Sequence, residues 1–195
     1  MIQEFVPRTT RPANDNRYYI KTTFGGWNKC IKIQSDGRVL PNCTGYAYGR
    51  FMECQLNVHT CNLSRANAEL WYSHIIDGYQ RGQTPKLGAV ICWHSTRSGG
   101  HVAIVEEIKD NGDIVTSNSA YNGSYFYMRT LKPPNYYMGS SYTFQGFIYN
   151  PTTFIPPTPP EPPTTPTSKK SEFPWVLYAR KLRNNRNWHN IKNIL

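Results

Sequence analysis

Cys43, His101 and Asn118 are the residues of this chain whose types and surroundings suit nucleophilic chemistry. Cys43 lies in LPNCTGYAYG (40–49), where Pro41 and Asn42 end the preceding segment and a helix can begin. A cysteine in the first turn of a helix feels backbone N–H groups that the helix does not consume, and the positive end of the macrodipole. Both favour the thiolate, the reactive form of the sulfur. Gly45 and Gly49 would let another element, or a substrate, approach this helix closely. A lone cysteine is more often a buried structural residue, so the second reading depends on a partner base.

Of the five histidines, His59, His74, His94, His101 and His189, the best placed base is His101. Gly99 and Gly100 open a loop before it, and it begins the apolar run HVAIVEEI, where a sheet would fix its backbone. His94, at the end of the preceding run GAVICWH, is the second choice. With an even-length turn around Asp110–Gly112, strand positions 101, 103 and 105 share a face with 114, 116 and 118. Asn118 would then accept from one ring nitrogen and leave the other for the thiol. An odd-length turn would break that pairing and bring forward Ser117 or Asn122.

The elements that must hold these groups follow in chain order. A helix is predicted from Cys43 to about Glu53, and a second over RANAELWYSHIIDGY, capped by Asn62 or Ser64. From Leu87 the pattern changes to short strands: GAVICWH, HVAIVEEI, DIVTSN, NGSYFYMRTL and YTFQGFIYN. Helices followed by antiparallel strands predict an α+β domain over residues 1–150. Residues 151–172 are Pro- and Thr-rich and read as an extended linker. Residues 173–195 read as a basic amphipathic tail, helical in pattern.

The 195 residues carry a formal charge of +10 with 14% aromatic residues, a balance that raises nucleic-acid binding. The charge is concentrated at the end, however: residues 169–195 hold seven Lys or Arg against one Glu, a net of +6. Without a zinc-finger spacing or an RNA-recognition motif, no nucleic-acid partner is expected. No apolar run approaches the ~20 residues of a membrane span, and MIQEFVPRTTRP lacks the apolar centre of a secretory signal. Synthesis in a cytoplasm, with no export signal of the chain's own, is the expectation. Five cysteines, an odd number without regular spacing, predict reduced thiols. The segment CQLNVHTC matches no standard metal-ligand spacing, so no metal or cofactor is expected.

Taken together, PNCTGYAYGR, GHVAIVEEI and the strand carrying TSNSAYNG resemble the CHAP (cysteine, histidine-dependent amidohydrolase/peptidase) domain of phage endolysins and bacterial cell-wall hydrolases, over roughly residues 15–150. The resemblance implies a papain-like fold, with N-terminal helices packed on an antiparallel sheet. It implies Cys43 as nucleophile, His101 as base and Asn118 as the residue orienting the histidine, where many members have Glu. Asn42, where Gln is common, would be an oxyanion donor with the Cys43 amide. Tyr46, Tyr48, Trp93 and Tyr121 would line the substrate groove. Only Asp15 and Asp36 precede the cysteine, so the calcium loop of some relatives is not expected. The implied substrate is peptidoglycan of a Gram-positive wall, cut as by an N-acetylmuramoyl-L-alanine amidase or by a stem-peptide or crossbridge endopeptidase. A non-catalytic wall-binding module is the alternative of another class. The basic tail would suit teichoic acid or an anionic envelope. The arrangement is most like a phage endolysin, reaching the wall after release.

Overall fold

The computed structural model describes residues 2–13, 16–19, 31–33, 39–55, 61–120 and 126–158. Two units divide the chain, Met1–Pro157 and Thr158–Leu195. The basic tail at 173–195 and most of the linker therefore lie outside the described residues.

In chain order, short strands β1 (Ile2–Glu4), β2 (Ile31–Ile33) and β3 (Val39–Pro41) precede the helix α1 (Cys43–Cys54). Two 3-10 turns, Ala68–Leu70 and Ile75–Asp77, come next. Strands β4 (Arg81–Gly82), β5 (Val90–Ser95), β6 (His101–Ile108), β7 (Ile114–Asn118), β8 (Tyr127–Leu131) and β9 (Tyr142–Ile148) form a six-stranded sheet in the order β4-β9-β5-β6-β7-β8. Every pairing in it is antiparallel. The last strand among the described residues, β10 (Thr153–Ile155), pairs in parallel with β1. Thus the beginning of the segment predicted to be linker is strand, tied down by Phe154, whose ring stands edge-on to Phe5 at 5.1 Å.

Alternation along β5 and β6 explains the two cores. Val90, Cys92, Val102 and Ile104 pack with Ala47, Tyr48, Phe51 and Met52 of α1. Ile91, Trp93, Ala103 and Val105 face Phe147, Leu131 and Tyr136 on the other side. Because α1 is covered on both sides, Thr44 through Met52 are all buried. Gly49 meets the N-terminal segment: a Cβ there would lie 2.6 Å from the Tyr18 carbonyl oxygen and 2.9 Å from the Tyr19 ring. In an open helix, Gly→Ala stabilises by up to about 1 kcal/mol. Here the backbone contact reverses the sign, and Gly49→Ala is expected to lower unfolding free energy by about 1–3 kcal/mol in a urea titration.

The second predicted helix does not form; α1 is the one α-helix among the described residues. Of the residues that gave the helical period, Trp71 is buried but Leu70 and Ile75 are exposed. The reason lies in Arg81. Its guanidinium donates to the carbonyls of Trp71, Tyr72, His74 and Tyr79, and to both oxygens of buried Asp77 at 2.9 and 2.7 Å. Carbonyls that a helix would give to residues four further on are bonded to this side chain instead.

Candidate active site

Asn42 is the N-cap of α1: its Oδ1 accepts from the Gly45 amide at 3.1 Å and from the Thr44 hydroxyl at 2.7 Å. Cys43 is thus the first residue of the helix, half-buried, with the macrodipole favouring its thiolate. With Oδ1 accepting in the cap, the side-chain donor that Asn42 offers to an oxyanion is its Nδ2. The first-turn amides of Cys43 and Thr44 are donors that the helix itself does not use.

Three other described cysteines lack these conditions. Cys54, Cys61 and Cys92 are buried free thiols, and burial pushes Cys61 up to about 11 and Cys54 up to about 12, with Cys92 shifted the same way. Cys30 and His59 lie outside the described residues.

His101 opens β6 directly after Gly100, which has a φ of +78°. A Cβ on Gly100 would come within 2.5 Å of the Glu69 amide and 2.6 Å of the Trp93 carbonyl oxygen. Both the positive φ and the close approach require glycine. The buried His101 ring meets Asn118, with Nε2 3.1 Å from Asn118 Oδ1. The Asn118 Nδ2 donates to the carbonyl and the hydroxyl of Thr116, each at 3.0 Å, which leaves Oδ1 as the atom facing the ring. Nε2 must then carry the proton, and Nδ1 remains as the basic nitrogen. Burial, assisted by the Arg129 charge and opposed by the Asn118 bond, lowers the imidazole from its ordinary 6.5 to about 4. A neutral base at neutral pH results.

The Asn118 pairing arises by a route different from the one expected. The turn between β6 and β7 has five residues, 109–113, closed by the Lys109 amide donating to the Asp113 carbonyl at 2.8 Å. This odd length alone would turn Asn118 to the helix face. A one-residue register shift between Val105 and Glu107 restores the parity. The alternative Asn122 lies outside the described residues, and Ser117 instead donates to Glu106 at 2.6 Å.

Cys43 and His101 line one cleft of about 730 Å³, with Arg65, Leu70, Ala120 and Tyr142 among its other walls. Three aromatic residues expected there are elsewhere. Tyr46 and Tyr48 are buried in the helix core: Tyr46 stacks on Tyr19 with ring centroids 5.5 Å apart, and the Tyr48 hydroxyl donates to the Cys61 carbonyl at 2.6 Å. Trp93 is fully buried and donates through Nε1 to the Tyr136 carbonyl at 2.9 Å. Its ring lies 5.8 Å from that of His101, so it supports the histidine from behind rather than meeting substrate. Tyr121 lies outside the described residues. His94, the second candidate base, is half exposed with Nε2 3.9 Å from Glu69 and is not part of the cleft wall. The aromatic residue that does line the cleft is Tyr142, edge-on to His101 at 6.5 Å. It became identifiable only once β9 was placed beside β5, where Tyr142 pairs with Ser95.

Residues 33–120 match the family model described as the CHAP domain, a span that contains Cys43, His101 and Asn118. The chain is 33% identical over 100 residues to a probable autolysin LDP of Staphylococcus aureus (strain NCTC 8325 / PS 47), a match covering 50% of this chain and 34% of that protein. It thus spans about a third of that relative's length. A solved structure of N-acetylmuramoyl-L-alanine amidase from Staphylococcus aureus matches with 29% identity and a TM-score of 0.39, over 47% of this chain and 27% of the other.

Proposed function

Because residues 33–120 match the family model of the CHAP domain, we propose that the chain is a cysteine-dependent hydrolase of an amide bond in peptidoglycan. The observation that carries this reading is the His101–Asn118 bond behind a cleft that Cys43 shares. On substrate binding, Nδ1 of His101 takes the thiol proton and the sulfur attacks the carbonyl carbon. The oxyanion lies toward the first-turn amides of α1 and the Nδ2 of Asn42. The imidazolium, steadied by Asn118, then protonates the departing amine. Water, deprotonated by the same nitrogen, releases the acid from the acyl-enzyme and restores the thiol.

The bond we place first is the one joining muramic acid to L-alanine, with a stem-peptide or crossbridge bond as the second reading. Digestion of purified Gram-positive peptidoglycan followed by mass spectrometry of the products tests both. New amino-terminal L-alanine on stem peptides supports the first, new glycine or D-alanine ends support the second, and intact polymer refutes hydrolysis altogether. Similarity to a probable autolysin of Staphylococcus aureus supports a Gram-positive setting. A phage-lysis role, with the enzyme reaching the wall after release from a cytoplasm, stays part of the proposal. Among the described residues no helix is long and apolar enough to cross a membrane.

The net +6 of residues 169–195 supports electrostatic attachment to teichoic acid or another anionic envelope polymer. Truncation should follow Pro157, not Asn150, because β10 pairs with β1. The shortened chain is expected to digest purified peptidoglycan at the full-length rate. In a sedimentation assay it is expected to bind whole cells several-fold more weakly at low salt, a difference that 0.5 M salt removes. Equal sedimentation of both forms would refute the targeting role.

A further inference from the structure

The bulge that restores the parity of His101 and Asn118 has a definite occupant. Glu106 is the extra residue of β6, with Val105 paired to Thr116 and Glu107 to Val115. Continuing the Ile108–Ile114 pairing without a bulge would set Asn118 opposite Ile104, on the helix face, and Ser119 opposite Ala103 in its place. A fully exposed strand would have little reason to keep the extra residue, yet Glu106 is only 1% exposed. Its carboxylate accepts from Arg50 through Nε at 2.9 Å and Nη2 at 2.8 Å, from Ser117 Oγ at 2.6 Å and from the Arg8 amide at 2.8 Å. Arg50 is itself fixed to Glu53 at 2.8 Å and to the Val6 carbonyl at 2.6 Å. It lies seven residues after Cys43 on α1, two turns on and on the same helical face.

A buried ion pair contributes little net stability compared with apolar packing, but it can select one register over another, because only one register satisfies the charge. A slipped hairpin would move Ser117 and rotate the Glu106 carboxylate relative to Arg50, leaving a buried charge without its bonds. We infer that Glu106, held by Arg50, is a positioning residue that selects the bulged register and thereby turns Asn118 toward His101 while tying the cysteine helix to the histidine strand. This rests on the nucleophile and base assigned above, so its test reads the thiol directly and needs no wall substrate.

The experiment measures iodoacetamide alkylation of Cys43 in the full chain by peptide mass spectrometry across pH, with circular dichroism to follow folding. His101→Ala comes first: a rate and pH profile unchanged from the parent would refute the nucleophile–base assignment itself, separately from any role of Glu106. Given an effect there, Glu106→Val is expected to slow alkylation at neutral pH by on the order of tenfold, toward the Asn118→Ala level. Ser119→Asn added to Glu106→Val is expected to recover most of that loss by placing an amide opposite Ala103. A folded Glu106→Val with the parent rate and profile, or a loss that Ser119→Asn leaves untouched, would overturn the inference. Should Glu106→Val not fold, Glu106→Gln decides through a double-mutant cycle. A cost that disappears in the Asn118→Ala background supports positioning through Asn118, and a cost of equal size in both backgrounds overturns it.

Discussion

Replacing Cys43 with alanine is expected to abolish release of soluble fragments from purified peptidoglycan while leaving thermal unfolding nearly unchanged. The sulfur is the only described thiol set at a helix start beside a cleft. Cys54, Cys61 and Cys92 are sealed in the core with their thiols held in the protonated form, so none can take its place. Losing the nucleophile of a coupled nucleophile–base pair costs at least about 10³-fold, because the base has nothing left to activate. Alanine at the first helical position is a good helix former, and the Asn42 cap does not involve the Cys43 side chain. The melting temperature should therefore move by less than ~3 °C, as for a substitution worth about 0.5 kcal/mol. Cys43→Ser keeps the geometry but substitutes a far weaker acid, and is expected to lose nearly as much activity. Clearing that survives in either variant, with the fold intact, would remove the covalent mechanism.

Much of the fold was legible because its signals are local. The Pro41-Asn42 break and the small and apolar spacing after it marked α1, and alternation marked the five strands β5 to β9, but no local signal shows that β9 returns to pair with β5. For the candidate site, the placement of Cys43 at a helix start and of His101 at a strand start was legible from their immediate neighbours. What failed depended on distant partners. The period through Ala66, Leu70, Trp71 and Ile75 matches a helix, but one half-buried arginine from β4 captures the carbonyls that a helix needs. Tyr46 and Tyr48 follow Cys43 closely and Trp93 pairs with His101 across the sheet, yet helical and strand geometry points them into the cores on either side of the sheet. The His101–Asn118 pairing was anticipated from an even turn, whereas the chain uses an odd turn and a compensating bulge. Two errors of parity cancel there, and only the ion pair between Arg50 and Glu106, 56 residues apart, reveals why. The strand β10 in the proline-rich stretch was likewise invisible without its partner β1 at the other end of the domain.

The acid limb of activity is expected near pH 4, well below the ordinary 6.5 of a histidine. The working form of the base is the neutral imidazole, so kcat/KM should hold steady as pH falls through 6 and drop only as His101 takes up a proton. Asn118 provides the control. Its bond raises the histidine, so Asn118→Ala should push the limb lower still, and with the ring less well oriented the plateau should fall by on the order of 10²-fold. Asn118→Asp keeps an acceptor and adds a negative charge, which favours the imidazolium and should carry the limb upward by a unit or more. Opposite movements of the two variants are the signature of a histidine titrated against residue 118; movement in the same direction would exclude it. Stability follows with a fixed sign. Because the folded value lies below the unfolded one, the unfolded chain binds the proton first. The native state should then lose up to ~3 kcal/mol as pH falls from 6.5 to about 4, with no further loss from this group below that. Glu53 adds a second, lower window: Arg8, Arg50 and Asn16 hold its carboxylate at about 2 against burial, so its contribution fades between pH 4.5 and 2. Urea titrations of the parent and of His101→Ala separate the two, since the variant should flatten only the upper window. If the variant flattens neither, His101 is not buried in its neutral form, and the placement of the acid limb fails with it.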